Sequence, residues 1–190
     1  MRGAQRSETG RGRLCWYFFV GMPNCDIRRI AANELDRIEP LWNALREHHS
    51  NITPKLGPPR SRSESWLRRR RQYEQWLANP DAFVLLAERG GESVGYAMVQ
   101  VREGSPTWPL SERAGEIETL SVLAGERGQG TGTALLEAVR DELGELGIKE
   151  LSLHAMPTNE AAIRFYERHG FSTYALWMRA NGDGKREEED

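Results

Sequence analysis

One stretch constrains this chain more than any other: Arg127-Gly128-Gln129-Gly130-Thr131-Gly132, set between a strand-like segment and an amphipathic helix. Residues 115–123 read as the strand. Residues 131–146 read as the helix, with Leu135, Leu136, Val139, Leu143 and Leu146 on one side. A turn of this kind aims several backbone N–H groups at one point, where the helix dipole also favours an anion. Glycines let the backbone approach phosphate oxygens closely and adopt positive φ. A P-loop would need a lysine and a Ser/Thr after its last glycine, and no lysine is present here. A dinucleotide fingerprint needs Gly-x-Gly-x-x-Gly, whereas the spacing here is Gly-x-Gly-x-Gly. Residues 116–122 (Glu-Ile-Glu-Thr-Leu-Ser-Val) are also too polar for the buried parallel strand of a nucleotide fold.

The rest of the chain supplies a frame for this turn. A short strand is expected at residues 26–31. A helix follows, with Asn33 as N-cap and Leu35, Ile38, Leu41, Trp42 and Leu45 on one face, running to about His48. Residues 50–63, with Pro54, Gly57, Pro58 and Pro59, read as a loop. A second helix is expected over residues 63–78, carrying Trp66, Leu67, Tyr73, Trp76 and Leu77. Residues 82–88 and 93–101 then flank Arg89-Gly90-Gly91-Glu92 as a hairpin. After the glycine turn come a strand at 149–154, a helix from Asn159 to His169 stopped by Gly170, and a last strand or strand pair over 171–179. The fold class expected is α/β (α+β): one domain over residues 26–180, with a mixed, mostly antiparallel sheet flanked by helices.

Composition removes several classes. With 190 residues, 38% hydrophobic and 28% charged, the chain suits a single soluble domain. A net charge of −2 provides no general field toward nucleic acid or an anionic membrane. Only Cys15 and Cys25 occur, so no disulfide framework is expected, and a cytoplasmic setting with no structural metal is the plain reading. The apolar run 14–22 is about half of the roughly 20 residues that span a bilayer, and Pro23-Asn24-Cys25 is a poor cleavage site. Residues 1–25 are therefore expected to be an extension, flexible or upstream of a start at Met22. Residues 181–190, ending Glu-Glu-Glu-Asp, are expected to be a disordered acidic tail.

Leu120-Ser121-Val122 followed by Arg127-x-x-Gly130-x-Gly132 resembles the acyl-coenzyme A motif of the GNAT (Gcn5-related) N-acetyltransferases. Asn159-x-x-Ala162-x-x-Phe165-Tyr166-x-x-x-Gly170-Phe171 is similar to that family's second signature. The two occur in the family's order, about 30 residues apart, and the element order over residues 26–179 resembles the family too. The resemblance implies acetyl-CoA as cosubstrate, with its pyrophosphate on the amides of Arg127, Gly128, Gln129, Gly130, Thr131, Gly132 and Thr133. It implies that backbone groups near Leu120, Ser121 and Val122 hold the pantetheine and polarise the thioester. Asn159 would cap its helix and reach the cofactor chain. Tyr166 would protonate the leaving thiolate, a task that suits a phenol because its ordinary pKa of about 10 keeps it protonated at neutral pH. Glu116 and Glu118 are both candidates for the base, and a β-bulge nearby would decide which face each occupies.

The acceptor side is less defined. In this family it is built from the first two helices, their loop and the strand edges, which here offers His48, His49, Trp66 and Trp108 beside the two glutamates. Arg68–Arg71 reads as a solvated helix face with Glu64 and Glu74 as neighbours. The reading as a whole is acetyl transfer to the primary amine of a small molecule or peptide, by direct attack, since no Cys or Ser stands in a nucleophile motif. The alternatives are another acyl-CoA or acceptor, and a non-catalytic acetyl-CoA sensor. No nucleic-acid or membrane partner is expected. Many relatives pair as dimers, which leaves a homodimer open.

Overall fold

The computed structural model describes residues 25–53, 57–108 and 111–178. The expectations for residues 1–24 and 179–190, the extension and the acidic tail, lie outside the described residues. Two units are each compact, one running to His154 and one beginning at Ala155.

The first unit is built on a five-stranded sheet: β1 (Asp26–Ile30), β2 (Phe83–Arg89), β3 (Glu92–Glu103), β4 (Arg113–Val122) and β5 (Glu150–Leu153), in that spatial order. The first three pairings are antiparallel and the last is parallel. This is the mixed, mostly antiparallel sheet that the sequence implies. The β2–β3 hairpin turns at Gly90 and Gly91, both at positive φ. A parallel neighbour needs a crossover, and α3 (Thr131–Glu145) provides it between β4 and β5. Leu135, Leu136, Val139 and Leu143 of α3 are buried; Leu146, just past the helix end, is not fully covered.

The opposite face is covered by α1 (Glu39–Ile52) and α2 (Arg62–Trp76). Leu35, Ile38 and Leu41 join Trp66 and Tyr73 in one cluster with Val84, Leu86, Tyr96 and Met98 of the sheet. The first helix departs from expectation at its start. Residues Ala32–Ile38 are 3₁₀, begun at Ala31 rather than capped by Asn33, and the α-helix opens at Glu39 with Pro40 in its first turn. Proline at that position has no N–H to lose and a φ already suited to the helix. The helix then continues to Ile52, four residues beyond His48, which shortens the loop expected from residue 50. The second helix is capped at Ser61, whose hydroxyl accepts from the Glu64 amide at 3.2 Å.

The second unit holds α4 (Glu160–Arg168). The final strand expected over residues 171–179 is not found among residues 171–178: they carry no strand pairing and all but Phe171 are exposed. Alternating side chains suggest a strand, but a strand exists only where a neighbour takes its ladder of hydrogen bonds.

Polar contacts tie the layers together. The Tyr73 hydroxyl lies 2.7 Å from Thr119 Oγ1 and 3.1 Å from the Tyr96 hydroxyl, all buried. Replacing Tyr73 by Phe removes the buried hydroxyl that Thr119 and Tyr96 both meet, so unfolding in urea should show a loss of about 1–3 kcal/mol. At the sheet edge Arg28 and Arg37 both hold Glu88, and Arg28 also reaches Glu34 at 2.8 Å. Burial alone would raise the Glu88 carboxyl, but the two guanidinium groups hold it below its ordinary value of 4.5. Its contribution to stability is therefore complete above that pH and is lost as pH falls through the lower, folded value. The Glu88→Gln protein should lose less stability than wild type between about pH 5 and 3, measured by thermal unfolding.

Candidate active site

The glycine turn closes as the sequence implies. Gly128 and Gly130 take positive φ, +74° and +84°, and Gly130 is the left-handed N-cap of α3. A Cβ on Gly128 would meet nothing within 4 Å, so the surface over the loop is open. Arg127, Gly128 and Gln129 are exposed. The first-turn amides of α3, including Thr131, Gly132 and Thr133, have no intrahelical acceptor, and no acidic residue stands in that turn to compete for them. A backbone cradle of this form fits a diphosphate, and the structure contains no feature of the turn that opposes it.

Side chains brace the loop rather than point out of it. Arg127 Nε donates to the Val122 carbonyl at 3.3 Å, tying the loop to the end of β4. Gln129 is held by Gly125 O at 2.7 Å and by Arg89 Nη1 at 2.6 Å. Arg89 also pairs with Glu126 and reaches the buried Thr131 hydroxyl at 3.4 Å. Arg89 is a residue that sequence reasoning missed. It reads as a hairpin turn residue, and nothing in the chain signals that β2 delivers it to a loop 40 positions away.

The strand before the loop carries the second feature. β4 pairs with β5 only over Ala114–Ile117, where Ile117 faces Leu153, yet β4 continues to Val122. Residues 118–122 thus have no partner on β5, and no other strand of the described residues pairs with that side of β4. In an open sheet, ligands lie beyond the carboxyl ends of parallel strands, and this is that end. Leu120, Ser121 and Val122 fall on this stretch. The Ser121 hydroxyl itself is turned away, donating to Leu41 O at 3.2 Å in the core, so only its backbone faces the edge.

The anticipated β-bulge is at Glu118. Met98 pairs with Thr119 and Val99 with Ile117, so Glu118 is the extra residue. Glu116 and Glu118 nevertheless converge on one guanidinium: Arg102 Nε lies 3.0 Å from Glu116 Oε2, and Arg102 Nη2 lies 2.6 Å from Glu118 Oε1. Gln100 also donates to Glu118. Both carboxylates are well covered, with side-chain exposures of 12% and 16%. The other Glu116 oxygen, Oε1, is 3.1 Å from His154 Nδ1. Arg102 and His154 were not signalled in the sequence, because one stands two strands from the glycine motif and the other just past the end of β5.

Within the second unit, Asn159 caps α4, its Oδ1 accepting from the Ala162 amide at 3.3 Å. Tyr166 is flanked edge-on by Phe165 and Phe171, and burial pushes its phenol up to about 12. The group is therefore protonated at neutral pH.

On the acceptor side, Trp66 is 4% exposed and belongs to the core, not to a pocket. Trp108 is exposed. His48 and His49 lie side by side near the end of α1, and burial, then His48 and Arg69, hold the His49 imidazole below its ordinary value. In the arginine block, Arg68 pairs with Glu64 and Arg70 with Glu74, each one helical turn apart, as a solvated face would. Arg69 instead lies over Trp42, 4.2 Å from the ring centroid. Among the described residues there is no group of three or more metal-ligating side chains, and no helix is long and apolar enough to cross a membrane.

Comparison with known proteins agrees with this geometry. A family model described as the acetyltransferase (GNAT) family matches residues 42–171. A mycothiol acetyltransferase from Thermobispora bispora is 33% identical over 154 residues, covering 78% of this chain. The chain spans only 48% of that relative's length. An uncharacterised N-acetyltransferase, YhfO of Bacillus subtilis, is 28% identical over 77% of this chain and 89% of its own. Among solved structures, a GCN5-related N-acetyltransferase from Ralstonia eutropha superposes with a TM-score of 0.66 at 23% identity, covering 83% of this chain and 98% of that one. With a family match that spans the glycine turn, the β4–β5 parting and most of the folded chain, this protein belongs to the acetyltransferase (GNAT) family.

Proposed function

We propose that this chain moves the acetyl group of acetyl-CoA to the amine of a small molecule or peptide by direct attack within a ternary complex. The observation that carries the reading is the meeting of two backbone features at one strand end. The amides opening α3 form an anion cradle, and the unpaired edge of residues 118–122 adjoins it through the Arg127–Val122 bond. The cradle suits the pyrophosphate, with Arg89, paired to Glu126, bracing the loop through Gln129. The free edge suits the amide-bearing pantetheine, which can pair with a strand as another strand would. An N–H of that edge, near Leu120, would polarise the thioester carbonyl.

Acetyl-CoA supplies the activated acyl group there: a C–N bond forms, the C–S bond breaks, and its electron pair stays on sulfur. The proton taken up by sulfur balances one given up by nitrogen. The family's second signature puts Tyr166 forward as the donor of that proton, and a phenol protonated across the neutral range suits the task. Glu116 and Glu118, both anchored on Arg102, place negative charge near the strand parting and favour a cationic acceptor. A cytoplasmic site of action accompanies this reading, since acetyl-CoA is a metabolite of that compartment.

Thiol release from acetyl-CoA across a panel of primary amines tests the activity. Release with at least one amine is expected, and stabilisation by CoA without any release would point to a sensor instead. Gly132→Glu isolates the cradle. Gly132 lies in helical conformation, and an acidic residue in the first turn favours the helix. Calorimetric titration should show acetyl-CoA binding lost, through bulk and like-charge repulsion, with the melting temperature of the free protein held. Tyr166→Phe should lower turnover by about 10²–10⁴ while leaving acetyl-CoA affinity within a few-fold. Wild-type turnover at saturating substrates would remove Tyr166 from the mechanism.

A further inference from the structure

We propose that the cleft between α1 and α2 binds a small oxyanion, such as the phosphate group of a small-molecule ligand. The cleft is separate from the glycine cradle, which opens α3 on the other face of the sheet. The proposal therefore goes beyond the acetyl-transfer reading and stands without it.

One wall of the cleft is a stripe of α2. Ser65, Arg68, Gln72 and Gln75 recur at helical spacing and line it together with Arg69 and Arg71. Helix α1 contributes Trp42, and Arg60 comes from the residues that lead into α2. The volume is about 360 Å³, within the range that holds small ligands. Two bonds tie the parts to one another. Trp42 Nε1 donates to Ser65 Oγ at 3.4 Å, and Arg46 Nη1 of α1 donates to the Arg60 carbonyl at 2.9 Å.

The cleft carries an excess of positive charge. Four of its lining residues are arginines and none is acidic. Among the described residues, Glu64 is the one carboxylate that touches any of the four: Arg60 Nη1 and Arg68 Nε share its Oε1, at 2.9 and 3.1 Å. Arg69 and Arg71 have no carboxylate partner among the described residues. Arg70, between them in sequence, differs. It pairs with Glu74 at 3.1 Å and with Asp36 at 2.5 Å, and it does not line the cleft.

Arg69 is the best prepared of these groups. Its guanidinium lies 4.2 Å from the Trp42 ring centroid, 5.5 Å from that of Tyr73 and 5.8 Å from that of Trp76. Three rings hold the cation in place without using its N–H groups. A guanidinium held in this way keeps its fork of donors for an oxyanion, and it has little side-chain freedom left to lose on binding. A face of paired, solvated charges, as at Arg70, has no such construction.

The probe is inorganic phosphate, titrated into the CoA-saturated protein in a phosphate-free buffer, so that the glycine cradle is already filled. Nitrogen-15 NMR follows the indole N–H of Trp42, assigned with Trp42→Phe. A saturable shift is expected. Arg71→Gln, at an exposed position without a partner, keeps the fold and should weaken phosphate binding by about tenfold. Arg69→Gln should weaken it by at least as much. Arg70→Gln changes the net charge equally and should leave the affinity as it was. No saturable shift in wild type, equal affinities for wild type and Arg71→Gln, or an equal loss in Arg70→Gln would each overturn the site, the last by reducing it to general attraction of a basic helix. Thiol release with O-phosphoethanolamine and with ethanolamine tells apart two sources of the anion. If it belongs to the acceptor, kcat/KM favours the phosphorylated amine and Arg71→Gln removes the preference. If it is a free anion, phosphate binds as above and the two amines react alike. A wild-type protein that releases no thiol with any amine counts against acetyl transfer, and the phosphate titration still decides the cleft.

Discussion

A parallel strand pair that ends early is the constraint on which the rest of this structure depends. Backbone N–H and C=O groups demand partners, and β4 and β5 supply them to each other for four residues only. Beyond Ile117 the edge of β4 must be satisfied by something else. In the same place, the helix that crosses from β4 to β5 begins with amides that also lack partners. Two sets of backbone groups, one linear and one convergent, thus meet at this end of the sheet without a strand or helix partner among the described residues. Side chains such as Arg89, Arg127 and Gln129 serve chiefly to hold the main chain still.

Much of this was legible because it is local. Alternating glycines before an apolar helical stripe specify the turn, the helix and the sign of the ligand charge without any tertiary information. Asn159 and Gly170 likewise mark the two ends of α4 through local chemistry, and both do so in the structure. The 3₁₀ start of the first helix was misread for a related reason. Asn33 is a good cap by residue type, but Pro40 a few residues on sets where α-geometry begins. The strand expected after Gly170 shows the limit of periodicity, which describes a face and says nothing of whether a neighbouring strand comes to pair with it.

What the sequence did not display is the grouping made by sheet register. Arg102, Glu116, Glu118 and His154 come from three strands or strand ends, and their convergence follows from which residue pairs with which. The two glutamates were visible as a pair, but neither the arginine that clamps them nor the imidazole beside them was. Charge patterning along α2 shows the same division. The i,i+4 pairs of Arg68 and Arg70 follow from spacing, whereas the stacking of Arg69 on Trp42 needs the approach of α1.

The bulge at Glu118 has a consequence for how such a chain can change. Side chains on a strand alternate strictly, so one additional residue inverts the facing of everything after it. Thr119 reaches the tyrosine hydroxyls of the core, and Ser121 reaches the Leu41 carbonyl, only because that inversion has occurred. The length of β4 is therefore a matter of parity. Removing one residue would turn the carboxyl end of the strand inside out, while a change of two would preserve its facing. Even-numbered changes in the length of this segment keep its facing, and odd-numbered ones do not.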